Sequence, residues 1–223
     1  MELFILPNTA KVNRVIPKNA FDSYTTTKQK KLFTDLIAKI TWTHKLSPDT
    51  INLESKDIKE IQIFRIELKL KEEIQSVLEV IDKSIPYHIV FIVEHKGRIY
   101  LSTSAKHAHP TKEDNAVIDW TFKTNWFLPT ENKYELKLKK NIDAVFHDFC
   151  VQLSGNTDMS IKPLKDLIEY KRHIDTLEKE IQKLKMSIAS GKQFNYKVEL
   201  NMRLKEAENE LRSLVSKPLT QIE

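Results

Sequence analysis

Residues 61–70 read IQIFRIELKL, and their alternation decides the fold class. Phe64, Ile66, Leu68 and Leu70 fall on one face of an extended chain, and Arg65, Glu67 and Lys69 on the other. Ile61 and Ile63 are out of phase with the apolar set, which predicts a bulge or twist near Phe64. The period then changes. From Glu72 to about Ile85, Ile74, Val77, Leu78 and Ile81 recur at helical spacing, and Pro86 ends the run. Ile89–Val93 is a continuous β-branched and aromatic run, the pattern of a strand buried on both faces. Strand, helix and strand over roughly 30 residues predict a βαβ unit with a parallel pair.

Upstream, KQKKLFTDLIAKITWTHK at 28–45 carries Leu32, Phe33, Leu36, Ile37 and Ile40 at i, i+3, i+4 spacing. This predicts an amphipathic helix, stopped by Ser47-Pro48-Asp49 and followed by a short strand at Ile51–Leu53. Before it, a short strand around Leu3–Leu6 leads into extended segments, broken by Pro7 and Pro17, as far as Tyr24. Downstream, Lys96-Gly97 reads as a hairpin turn into Ile99–Ser104. One or two further strands lie within Val117–Leu128, and 141–153 form a helix closed by Gly155-Asn156. Residues 1–160 are thus expected to form a mixed α/β (α+β) body on a largely mixed sheet.

Residues 161–223 follow a different rule. Leu167, Ile174, Ile181 and Ile188 occupy position a of a heptad, and Tyr170, Leu177 and Leu184 occupy position d. Gly191 stands where a helix C-cap glycine belongs, and a second helix begins near Phe194. Its seam is Leu200, Leu204, Ala207, Leu211 and Leu214. A linker of about six residues lets the two helices fold back as an antiparallel coiled-coil hairpin that projects from the body.

Composition narrows the function classes. The chain has 223 residues and only three glycines, so neither the dinucleotide-binding nor the P-loop glycine spacing exists. The single cysteine, Cys150, cannot form an internal disulfide; it sits in the apolar run AVFHDFCVQL as a small buried hydrophobe and fits a reducing compartment. No apolar run approaches the ~18 residues that span a bilayer, and MELFILPNTAKV lacks the flanks of a signal peptide. A cytoplasmic protein is expected. The net charge of +5 divides into 23 basic against 21 acidic residues over 1–161 and 13 against 10 over 162–223. Neither part is a basic stripe, and Lys28-Gln29-Lys30-Lys31 is a solvated helix start.

Several groupings bear on chemistry. His107 and His109 form a His-x-His pair before Pro110, read as a surface loop pair rather than a metal site. The other histidines show no metal spacing, and His147, three residues from Cys150, is no nucleophile pair. Trp120, Trp126 and Phe127 read as packing aromatics rather than a base-stacking platform. The acidic set carries more chemistry. Glu67-Leu68-Lys69 lies on the clearest strand, with Glu54 thirteen residues upstream. Two carboxylates holding Mg²⁺ and a lysine stabilising charge at a phosphate would make a nuclease of restriction-endonuclease type. Seven acid-x-Lys triplets occur in the chain, so the triplet alone decides nothing. No catalytic residue, metal or cofactor is favoured; Glu54, Glu67, Lys69 and Mg²⁺ are the alternative.

The stretches IPKNAF (16–21), KKLFTDLIAKITWTHKLSPDTINL (30–53), EIQIFRIELK (60–69), IDKSIPYHIVFIV (81–93), FKTNWF (122–127) and KQFNYKVELN (192–201) resemble a bacterial and archaeal domain-of-unknown-function family. Members of that family are encoded beside superfamily 2 helicases and DNA methyltransferases in restriction or antiphage islands. The resemblance implies a role in DNA modification, restriction or phage defence, and carries over no active residues. Taken with the hairpin seam, the expectation is a non-catalytic accessory subunit that docks on a helicase or DNA methyltransferase. It would touch nucleic acid only weakly or indirectly, and its hairpin is also a surface for a homodimer.

Overall fold

A computed structural model of the chain describes residues 2–155, 163–191 and 193–216. The chain divides into two compact units, 1–157 and 158–223. The expected boundary at 160/161 lies outside the described residues, as does Asn156.

The first unit is built on a six-stranded mixed sheet in the order β1-β2-β3-β4-β5-β6. The strands are β1 (Lys11–Ile16), β2 (Ile37–Leu46), β3 (Ile61–Leu68), β4 (His88–His95), β5 (Arg98–His109) and β6 (Lys112–Lys123). β3 and β4 pair in parallel, in register from Ile61↔His88 to Glu67↔Glu94, and the other neighbours are antiparallel. Helix α3 (Gln75–Lys83) connects the parallel pair and completes the βαβ unit. The Lys96-Gly97 turn links β4 to β5 with both residues left-handed, at φ 46° and 76°. That geometry suits glycine at the second position and matches the twist of the flanking strands.

Both faces of the central strands are covered. On one face Phe64, Ile66, Phe91, Val93 and Tyr100 cluster with Phe33 of helix α1 (Thr27–Leu36) and with Val77, Leu78 and Ile81 of α3. On the other, Ile61, Ile63, Val90, Ile92 and Leu101 are buried. Helix α4 (Ile142–Ser154) meets that face, with the Phe146 ring 4.4 Å from the His88 ring. Phe4 packs edge-on against Phe149 at 5.8 Å. Each fully buried Phe, Ile or Leu contributes about 1.5–3 kcal/mol, so two covered faces supply the core. Asn141 caps the start of α4 by accepting from the Ala144 N–H, and Gly155 closes it.

Four local expectations are corrected. The helix expected over 28–45 ends at Leu36, and β2 begins at Ile37. A capping box between Thr26 and Gln29 starts α1 where the basic run begins. The stretch ITWTHKL beyond it is β-branched and aromatic, and pairing with β1 and β3 decides its conformation. Residues 51–53 form no strand; helix α2 (Pro48–Ile51) stands there, with Thr50 Oγ1 donating to Lys45 O at 2.7 Å. The first strand is Lys11–Ile16 rather than Leu3–Leu6. The irregularity near Phe64 is carried by the neighbouring strand: Trp42 pairs with Phe64 and His44 with Ile63, leaving Thr43 as the extra residue.

In the second unit α5 (Leu164–Ser190) and α6 (Phe194–Ser216) run antiparallel. Tyr170 reaches Leu214 O at 3.3 Å, and His173 reaches Glu210 at 3.0 Å. The linker is 191–193, shorter than the six residues expected. Gly191 closes α5 in an extended rather than left-handed conformation, at φ −64°. Its use is the missing Cβ, which would stand 3.1 Å from Ser187 O.

His88 makes the body's stability depend on pH. Burial, aided by the Lys106 ammonium, pushes its imidazole down from 6.5 to about 4. Between those values the unfolded chain takes the proton and the folded chain does not, so stability falls as pH drops from 6.5 through 4. The expected loss is about 3 kcal/mol. Urea unfolding of wild type and His88→Leu at pH 7 and pH 4 measures it; an identical pH dependence in the variant would show that His88 is not the group responsible.

Candidate functional site

The three residues of the nuclease reading occupy separate environments. Glu67, near the end of β3, lies beside Glu94 in register on β4. Each carboxylate has a cation: Lys39 stands 3.9 Å from Glu67, and Arg65 2.7 Å from Glu94. Lys69 lies beyond the strand and turns to α1, its ammonium donating to Thr34 O at 2.7 Å and its N–H to Leu36 O. It serves as a cation at the C-terminal end of that helix. Glu54 forms an isolated parallel bridge with Asn141, its backbone carbonyl accepting from the Ile142 N–H at 2.9 Å. The adjacent segment is fixed by Asp143, whose carboxylate accepts from the N–H groups of Lys56, Asp57 and Ile58 at 2.8, 3.0 and 3.0 Å. Burial alone would raise that carboxyl, but the backbone donors outweigh it and hold it below its usual value. Among the described residues no group of three or more His, Cys, Asp or Glu is arranged to hold a metal ion.

The remaining candidates are engaged in the fold. His107 and His109 lie on β5, not in a loop, and His107 pairs with Asp119 of β6 at 2.9 Å. Cys150 is fully buried on α4, and burial pushes its thiol well up, away from a reactive thiolate. Trp126 meets Tyr100 edge-on at 4.8 Å, and Phe127 packs against Tyr134 at 5.7 Å. These rings face intramolecular partners rather than forming one platform.

The hairpin has free surface. Leu167, Leu177, Ile181, Leu184, Leu200 and Ala207 of the seam are buried, and Tyr170, Ile174, Ile188, Leu204, Leu211 and Leu214 are half-buried. Ile168, outside the heptad pattern, is also buried. The seam therefore consumes one stripe of each helix. Around the turn lie large apolar side chains that it does not consume: Phe194 is 79% exposed, Met186 64% and Met202 62%, with Tyr196 and Val198 exposed beside them. A groove of about 520 Å³ lies between the two helices here, bordered by Lys183, Ser187, Tyr196, Leu200 and Arg203.

Charge is concentrated at the same end. Residues 183–205 hold six Lys/Arg against one acid, Glu199, an excess of five. The rest of the chain then holds 30 basic and 30 acidic residues, so the turn region carries the whole net charge of +5. Counts taken over 1–161 and 162–223 hide this, because acids lower on the hairpin offset the cations at the turn. A window centred on Phe194 would have revealed it.

No helix of the described residues is long and apolar enough to cross a membrane. Compared with known protein families, the chain matches one described as Domain of unknown function (DUF4391) over residues 4–211. No curated protein and no solved structure matches it.

Proposed function

The chain belongs to the DUF4391 family of domains of unknown function, and on that premise we propose that it is a non-catalytic interaction subunit. It works in the cytoplasm in a bacterial restriction-modification or antiphage assembly, and its hairpin docks on a helicase or DNA methyltransferase. The observation that carries this reading is the apolar group left exposed at the turn, led by Phe194 and Met202, on helices whose seam is already filled. Exposed apolar clusters on otherwise charged surfaces mark interaction sites. The partner enzyme is the one the family resemblance implies as a genomic neighbour.

The nuclease alternative has less support. Lys69 donates to the end of α1, and among the described residues no group of three or more His, Cys, Asp or Glu is arranged to hold a metal ion.

Co-expression of the full chain with the adjacent helicase or methyltransferase tests the proposal. The full chain should co-purify with the enzyme, and a chain lacking residues 162–223 should not. The isolated protein should hold random duplex DNA weakly, with a Kd of about 10⁻⁶ M or worse at physiological salt. A truncated body that co-purifies at full stoichiometry would defeat the docking role. Mg²⁺-dependent cleavage abolished by Lys69→Ala would establish the nuclease instead.

A further inference from the structure

Residues 2–6 belong to no helix and no strand, yet they help to cover the sheet. Among the described residues their backbone enters no backbone–backbone hydrogen bond; the first in the chain is Ala10 N–H to Pro7 O, inside the turn Asn8–Ala10. Side-chain ties hold the segment instead. The Asn132 amide donates to Leu3 O at 3.1 Å, the Phe4 ring meets Phe149 edge-on at 5.8 Å, and Glu2 pairs with Lys11 at 2.8 Å. Phe4 is buried, but the packing around it is incomplete. It borders a cavity of about 290 Å³ with Asn132, Tyr134 and Leu136, and another of about 150 Å³ with His44, Ile63 and Ile92. Ile5, the next residue, is fully exposed.

A segment with few backbone hydrogen bonds and few buried contacts opens more readily than the body beneath it. Phe4 borders both cavities, so lifting it joins them over Phe149, Ile63 and Ile92. The residues now seated there, Glu2-Leu3-Phe4-Ile5, state what such a cleft accepts: an acid followed by aliphatic, aromatic and aliphatic side chains. Charge agrees with that order. The Lys11 ammonium, by hydrogen bond and by charge, holds the Glu2 carboxyl below its usual value, with help from His44. Arg65 borders the same cavity with its guanidinium on Glu94. With Glu2 lifted away, Lys11 and His44 lose their acid. Glu135 and Lys137, one of each sign, border the other cavity.

We infer that residues 2–6 are a displaceable strap that fills, from within the chain, a cleft for an acid-aliphatic-aromatic segment of a partner protein. The closed strap keeps the cleft weak, because an incoming segment meets only the fraction of molecules in which it is open. This site is separate from the hairpin.

The test uses the full chain and a fluorescein-labelled peptide of the strap's own sequence, ELFILP, read by fluorescence anisotropy. Phe4→Ala, which empties the seat, should bind the peptide about tenfold more tightly than wild type does. The same peptide with its phenylalanine changed to alanine should lose about tenfold in affinity for the variant, and so should one with its glutamate changed to lysine. Tryptophan fluorescence melting shows whether the variant keeps its fold. Glu2→Lys, which removes only an exposed tie and leaves the cleft intact, should also bind the peptide more tightly than wild type and gives the answer should Phe4→Ala not fold.

Equal binding of the peptide by wild type and both variants would overturn the inference, as would equal binding of the three peptides. A concentration-dependent dimer of the wild-type chain that Phe4→Ala abolishes would overturn it too, because the strap would then exchange between two copies rather than yield to a partner. None of these outcomes bears on the co-purification through the hairpin, so the two readings stand or fall separately.

Discussion

Lys106→Met should destabilise the protein by about 3–5 kcal/mol, measured by urea unfolding at pH 7. Lys106 lies on β5, and its ammonium donates to Asp82 Oδ1 at 2.7 Å, Asp82 O at 2.6 Å and Ile85 O at 2.8 Å. Both side chains of the pair are 1% exposed. The lysine therefore does two jobs: it neutralises a buried carboxylate and satisfies carbonyls at the C-terminal end of α3, where a cation is favoured. Methionine fills similar space and leaves the carboxylate and two carbonyls without this donor. Burial pushes the Asp82 carboxyl up and the Lys106 ammonium down, so each group needs the other to stay charged. In the variant the carboxyl rises further. A carboxyl raised above its unfolded value stabilises at pH below that value and loses the contribution as pH climbs through the folded one. The deficit of Lys106→Met should therefore shrink on acidification from pH 7, and adding Asp82→Asn should recover part of it at pH 7. A deficit below about 1 kcal/mol that does not vary with pH would show that water reaches the site.

The second large effect is in the seam. Ile181→Asp with Leu184→Asp should melt both α5 and α6 and leave the body folded. The two side chains are 8% and 5% exposed, and Ile181 packs with Leu177 and Ala207. Burying an unpaired carboxylate at either costs several kcal/mol, and a two-helix unit with one narrow seam has no second core to absorb it. All three tryptophans, Trp42, Trp120 and Trp126, belong to the first unit. Far-ultraviolet circular dichroism should thus lose helix signal from the 27 residues of α5 and 23 of α6 while tryptophan fluorescence keeps its wild-type melting profile. Loss of both signals in one transition would mean that the seam and the sheet form one cooperative core.

The sequence was most legible where one period persisted. IQIFRIELKL, the helix after it and the buried run Ile89–Val93 each keep a single pattern between clear breaks, and β3, α3 and β4 follow them closely. Residues 28–45 misled because Leu36 and Ile37 extend the helical spacing across a helix–strand junction with no glycine or proline to mark it. There the neighbouring strands, absent from any local window, decide the conformation. The acid-x-Lys triplet was visible as spacing, but only the structure shows that Glu67 faces Lys39, that Lys69 serves α1 and that the Glu54 backbone bridges Asn141. At the hairpin the heptads were plain. The docking face was not, because it depends on which apolar residues the seam leaves out.

The strand order has a consequence for how the chain is made. Every strand of the sheet pairs with the strand that precedes or follows it in sequence, so the ladder can grow strand by strand as the chain leaves the ribosome. Some side-chain ties do not obey this order. Asn132 donates to Leu3 O across 129 residues, and Asp143 holds the Lys56–Ile58 backbone across 85 to 87. The amino-terminal segment, synthesised first, must therefore wait longest for its partner. Phe4, which seals one face of the core against Phe149, stays uncovered until α4 has emerged.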